Sequence, residues 1–231
     1  WPLYVTGTLR VLQQQHIPLR GGKVVIKSDL PLGSGLSSSA AMECLFAFMM
    51  APEYFESNPR TLALLAQKAE REEVGMNCGI MDQYAVAFGK KDMAMLLDCA
   101  NVESRYIPAD FGDYTLVIIN SNQPRTLADS KYNERRIECD IALSIIQRHD
   151  PAQFLVDAHE ISIAQLEDDV LYARAKHVVT EQKRVFAALD ALEQGNMSYF
   201  GELLWASHQS LDEDYEVAGT GLNTIVFYAR K

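Results

Sequence analysis

The segment PLGSGLSSSAAMECLFAFMM, residues 31–50, constrains this chain more than any other. Two closely spaced glycines and a run of three serines lead into a stretch whose only charge, Glu43, stands among apolar and small side chains. Ahead of it, residues 23–27 (KVVIK) are a β-branched run that predicts a strand. Residues 31–35 predict a tight loop, and residues 38–50 predict a helix apolar on nearly every side, for which burial between layers is expected. In such a strand, loop and helix order, the first backbone N–H groups of the helix lack partners and the macrodipole adds partial positive charge. Gly33 and Gly35 permit backbone conformations that a Cβ opposes, and serines add hydroxyls. Gly33, Ser34, Gly35, Leu36, Ser37, Ser38 and Ser39 are therefore a candidate phosphate cradle. It is not the common P-loop, which needs a Lys after the second Gly where this chain has Leu36. The same residues also describe a Gly/Ser turn capping a buried helix.

Along the chain, residues 1–15 read as an amphipathic helix, with Tyr4, Val5, Leu9 and Leu12 on one side. Asn58-Pro59 predicts a helix start with Asn as cap. That helix carries Leu62, Leu65, Ala66 and Ala69 on one face and is broken by Gly75. Its end is loaded with Glu70, Arg71, Glu72 and Glu73, ordinarily a solvated face. Carboxylates near a helix C-terminus nevertheless oppose the dipole, which points to one of them holding a cation. Asp82 stands among Ile80, Met81, Tyr84, Ala85 and Val86, a neighbourhood that partly desolvates a carboxylate; by itself it reads as a cap or core hydrogen-bonder. Residues 93–98 (MAMLLD) and 114–119 (YTLVII) predict short strands. Asp129 is a plausible cap for the helix that carries Tyr132, itself read as a half-buried packing residue. Helices are predicted over 154–160, 166–180, 181–194 and 199–212, the last running into an acidic cluster, Asp212 to Glu216, read as solvated surface.

With 231 residues and 48% hydrophobic content, the chain can bury a core as one large or two small domains. A net charge of −10 argues against nucleic acid or an anionic membrane as partner, while a nucleotide can still bind through backbone N–H groups and a cation. Cys44, Cys78, Cys99 and Cys139 lack zinc or CxxC spacing, so reduced thiols in a cytoplasmic protein are expected. The five histidines show no ligand spacing, and the longest apolar run falls short of the ~20 residues that cross a bilayer. Trp1-Pro2 is the opening expected of a piece of a longer polypeptide.

PLGSGLSSSAA resembles the second signature of the GHMP small-molecule kinases, in which a Pro-x-Gly-x-Gly-Leu-x-Ser-Ser-Ala pattern binds ATP phosphates. NCGIMDQ (residues 77–83) and SKYNERRIEC (residues 130–139) resemble the galactokinases in particular; the three stretches stand in the family's order, and the resemblance spans essentially the whole chain. The resemblance implies a two-lobed α/β fold of mixed sheets and helices with the active site between lobes. Residues 1–105 would be the remainder of the N-terminal lobe and 106–231 part of the C-terminal lobe. It implies ATP-dependent phosphorylation of the C1 hydroxyl of α-D-galactose, giving galactose 1-phosphate. Asp82 would be the catalytic acid/base, and Gly79, Asp82 and Tyr132 would contact the sugar. Ser39 and Glu70, which lies twelve residues before Asp82, would ligate Mg²⁺. A non-catalytic galactose and ATP sensor and an N-acetylgalactosamine kinase are the alternatives within the same resemblance. Nothing here matches the family's opening Arg-x-Asn-Leu-Ile-Gly-Glu-His-Thr-Asp signature or its closing glycine-rich loop. The chain is thus expected to be the middle of such a protein, weakly active or inactive alone, with exposed sheet edges and apolar surface.

Overall fold

The computed structural model describes residues 2–31, 33–122 and 131–231. They fall into two compact units, residues 2–106 and the remainder from Ile107 onward.

In the first unit, α1 (Pro2–Gln14), α2 (Ser38–Met50), α3 (Pro52–Ser57) and α4 (Pro59–Ala69) pack around Val11, Leu12, Cys44, Ala47, Phe55, Leu62 and Ala66. Val11 and Leu12 sit on the inner stripe of α1 and are wholly buried. Truncating Leu12 to Ala costs about 2–5 kcal/mol in a site of this kind. The chain continues past α4 as a single π-helical turn, Glu70–Val74, closed by Gly75 in the left-handed region at φ 83°. After it come α5 (Met81–Phe88) and a hairpin of β1 (Met93–Asp98) and β2 (Glu103–Pro108). Asp98 shapes the connecting turn by accepting from the backbone N–H of Ala100 at 2.9 Å and of Asn101 at 3.2 Å. The hairpin is tied on through Ile80 and Tyr84, which pack with Met95, Leu97 and Val102.

The second unit holds α6 (Tyr132–Ile146), a 3₁₀ turn (Leu155–Asp157), α7 (Glu160–Ile163), α8 (Asp169–Glu193), α9 (Met197–Glu213) and α10 (Thr220–Ala229). Its core is Ala142, Ile146, Leu155, Ile163, Ala175 and Val179. Asp168 and Asn196 cap α8 and α9 by accepting from Leu171 and Tyr199 N–H.

Several expectations are corrected. Residues 23–27 and 114–119 form no strand: Val25 is 96% exposed, and Leu116, Val117, Ile118 and Ile119 all lie open to solvent. A strand needs a neighbour to complete its ladder, and among the described residues neither run has one. The outer face of α2 likewise leaves Leu45 and Phe48 exposed, so α2 is not buried on all sides. Asn58 precedes α4 but does not cap it through its side chain, whose amide donates to Tyr54 O at 2.9 Å. The two helices expected over 166–194 are one, because nothing at Thr180-Glu181 breaks the backbone ladder. Residues 154–160 turn rather than form a helix, since the Asp157 carboxylate accepts from Phe154 N–H and that of Asp150 from His159 N–H. The acidic cluster is partly enlisted: Asp214 pairs with Lys176 at 2.7 Å, and Glu216 with the buried Arg174 at 2.8 Å. Asp129 lies outside the described residues.

Candidate functional site

The glycine loop delivers what its sequence asks for. Gly33 and Gly35 have φ of 69° and 74°, and Ser37 follows at φ 55°, so three left-handed residues bend the chain into the first turn of α2. An added Cβ on either glycine would meet nothing within 4 Å, so the demand for glycine comes from φ and not from crowding. Ser34 Oγ donates to Pro31 O at 2.7 Å and steadies the loop. Ser37 O accepts from Ala41 N–H at 2.9 Å, while the Ser37 side chain makes no cap bond. The hydroxyls of Ser38 and Ser39 also make no hydrogen bond among the described residues. The start of a thirteen-residue helix therefore presents open N–H groups, flanked by serines, to the outside of the loop.

The four charges after Ala69 separate by role. Glu73 pairs with Arg10 of α1 at 2.6 Å, where α1 comes so close that a Cβ on Gly7 would stand 2.7 Å from Glu73 Cβ. Glu72 lies 3.9 Å from Lys68. Glu70 alone is buried. The π-helical turn starts at Glu70, whose carbonyl accepts from both Gly75 and Met76 N–H. Turns of this type recur at functional sites because they re-aim the side chains around them.

Glu70 Oε2 accepts from the Gln83 amide and from Cys78 Sγ at 3.5 Å. The same Gln83 Nε2 donates to Glu43 Oε2 at 3.3 Å. Gln83 and Glu43 are both wholly buried, and Glu43 Oε1 and Gln83 Oε1 have no partner among the described residues. Burial, reinforced by the charge of Glu70 and opposed by the Gln83 hydrogen bond, raises the Glu43 carboxyl to about 8. Burial and then Glu70 push the Cys78 thiol up to about 12. Burial first, then Glu70 and Glu43, also raise the Tyr4 phenol.

Asp82 occupies the first turn of α5, half-buried, and its carboxylate makes no hydrogen bond or ion pair among the described residues. Its neighbour Gln83 ties α5 to Glu43, one turn beyond Ser39 on α2, and to Glu70. Ser39, Glu70 and Asp82 thus stand on three elements joined by one amide side chain. Gly79 lies exposed in the segment before α5. Tyr132, 46% exposed, opens α6 in the other unit.

Sequence reasoning did not single out Gln83, and it assigned Glu43 no chemistry. A signal was present for Glu43: a lone carboxylate in an otherwise apolar helix has to be protonated or partnered if it is buried. For Gln83 there was none, since a polar residue beside Asp82 in a short helix carries no periodic information.

Residues 3–90 match the family described as GHMP kinases N terminal domain. Over 235 residues the chain is 43% identical to the galactokinase of Clostridium tetani (strain Massachusetts / E88), covering 98% of this chain and 59% of that protein. It is 42% identical over 237 residues to the galactokinase of Enterococcus faecalis (strain ATCC 700802 / V583), with 100% and 61% covered. The crystal structure of Lactococcus lactis galactokinase complexed with galactose superposes with a TM-score of 0.88 at 38% identity, covering 99% of this chain and 61% of that one. The chain thus spans roughly three fifths of the length of the relatives it matches. A glycine loop opening an apolar helix, a half-buried Asp two residues after a Gly-Ile pair, and a backbone that follows a solved galactokinase all point the same way: the chain is similar to galactokinases over about three fifths of their length, and its residues 3–90 match the GHMP kinases N terminal domain.

Proposed function

We propose that the chain is the ATP-handling and acid/base portion of a galactokinase, which transfers the γ-phosphoryl group of ATP to the C1 hydroxyl of α-D-galactose. Residues 1–105 contribute the phosphate loop and Asp82, and residues 106–231 contribute Tyr132 from the second lobe. The observation that carries the reading is the pairing of two features: a left-handed loop opening the N-terminus of α2, and a half-buried Asp82 with no partner of its own among the described residues.

Phosphoryl transfer needs little covalent work from the protein; it needs positioning and charge stabilisation. Residues 33–39 hold the phosphates through the first N–H groups of α2 and the serine hydroxyls. Asp82 accepts the C1 hydroxyl proton as that oxygen bonds to the γ-phosphorus, and the bond from phosphorus to the β-phosphate oxygen breaks to release ADP. Gly79 and Tyr132 contact the sugar. The residues fit a hard cation: Glu70 Oε1 accepts no hydrogen bond among the described residues, and the Ser39 hydroxyl supplies a second oxygen. Bound there, Mg²⁺ supplies charge neutralisation at the phosphate oxygens. The four cysteines are free thiols, which suits a reducing compartment, and we assign the protein to the cytoplasm.

The test is ADP release by the full-length protein with ATP, Mg²⁺ and a panel of sugars. Galactose-dependent release that Asp82→Asn lowers by about 100-fold or more is expected. Binding of galactose and ATP without release identifies a sensor, and preference for N-acetylgalactosamine identifies the other kinase; either result overturns this reading.

A further inference from the structure

We propose that Gln83 is a positioning residue for Glu70, and that Glu43 anchors Gln83 in that task. The proposal rests on the reading of Glu70 as a cation ligand. Gln83 is wholly buried, and its one amide nitrogen donates to both carboxylates, Glu70 on the π-helical turn and Glu43 on α2. A buried amide between two acids is costly unless each of its groups is used, and a leucine would fill similar space without that cost. What the amide adds is direction. With Oε2 of Glu70 taken by Gln83 and Cys78, only Oε1 is left to face a ligand.

The leftover atoms show how the anchor works. Glu43 Oε1 and Gln83 Oε1 are both buried without a partner among the described residues. A neutral carboxylic acid meeting a primary amide exchanges two hydrogen bonds with it, N–H to one oxygen and O–H to the other, and these two oxygens are the ones such a proton would join. The raised pKa of Glu43, caused by burial and then by Glu70, agrees with a proton resting there. The Gln83 N–H groups are then aimed by their anchor, one carboxylate on α2 and the other on the π-helical turn. Because Glu43 lies four residues beyond Ser39 on α2, the same contact fixes α5, which carries Asp82, beside the helix that carries Ser39.

The experiment titrates Mn²⁺ into the full-length protein with a non-hydrolysable ATP analogue and reads free Mn²⁺ by electron paramagnetic resonance. Gln83→Met, similar in length but without the amide, is expected to weaken Mn²⁺ binding by about 10- to 100-fold. Gln83→Asn, an amide one methylene short, serves as a second variant should the first fail to fold, and it is expected to lose about tenfold. Glu43→Gln, which keeps an N–H for Gln83 Oε1, should bind Mn²⁺ within about twofold of the wild type, whereas Glu43→Leu should lose about tenfold. Wild-type affinity in a folded Gln83→Met or Gln83→Asn protein, alongside a loss in Glu70→Gln, overturns the positioning role alone. Equal losses in Glu43→Gln and Glu43→Leu overturn the anchor. Full affinity in Glu70→Gln overturns the ligand reading and this proposal with it.

Discussion

Glu43 and Asp82 are both carboxylates in apolar company, and their surroundings give them opposite tasks. Glu43 is wholly buried, which pushes its carboxyl up to about 8, while Asp82 is half-buried and free of internal partners among the described residues. The raised carboxyl of Glu43 has a consequence for stability. Below its ordinary value of 4.5 the folded and unfolded chains both hold the proton, and Glu43 costs nothing. As pH rises from 4.5 to about 8 the unfolded chain releases a proton that the folded chain retains, so stability falls across that window. Urea denaturation without divalent cation, at about pH 5 and about pH 8, should show this decline in the wild type and a shallower one in Glu43→Gln. Equal declines contradict it. The shape of the glycine loop was legible one residue at a time: the glycines at 33 and 35 announced positive φ. Asp82 by itself read as a cap or core hydrogen-bonder, and only the family resemblance gave it a role. Gln83 was not legible, because its importance comes from two acids that lie 40 and 13 positions away in the chain.

At the scale of elements, helices with strong end signals were read closely. The start of α2 at Ser38, the Pro at the start of α4 and the stop at Gly75 all stand where local chemistry puts them. The π-helical turn at Glu70–Val74 was not foreseeable from periodicity; α1 lies against it, at Gly7 and through the Arg10 to Glu73 pair, whose members stand 63 positions apart in the chain. Gly75 terminates that turn at φ 83° with nothing near a would-be Cβ. Gly75→Ala should therefore cost strain alone, about 1–2 kcal/mol, seen as a lower denaturation midpoint with an unchanged slope. No change in midpoint contradicts the assignment of Gly75 as an obligatory left-handed stop. The separate helices expected over 166–194 merged because charge and apolar spacing continue without a breaker through Thr180 and Glu181.

For the whole molecule, the runs at 23–27 and 114–119 have the composition of strands and the exposure of surface. Sequence reasoning identified their material correctly and their state wrongly, because strand formation depends on a partner backbone that composition does not reveal. Together with Leu45 and Phe48 of α2, they leave apolar groups open in both units. The 231-residue chain by itself is expected to self-associate with rising concentration, measured by light scattering on a sizing column. Val25→Lys combined with Val117→Lys should shift it toward monomer. A clean, cooperatively melting monomer of the unaltered chain contradicts this. The central claim is that phosphates settle on the start of α2 while Asp82 faces the accepting hydroxyl. A crystal structure of the full-length protein with galactose and a non-hydrolysable ATP analogue tests it most directly. The account predicts the Asp82 carboxylate within about 2.6–3.2 Å of the sugar C1 oxygen, or one water away, with phosphate oxygens on the N–H groups of residues 33–39. An Asp82 farther from every sugar hydroxyl than one bridging water contradicts it.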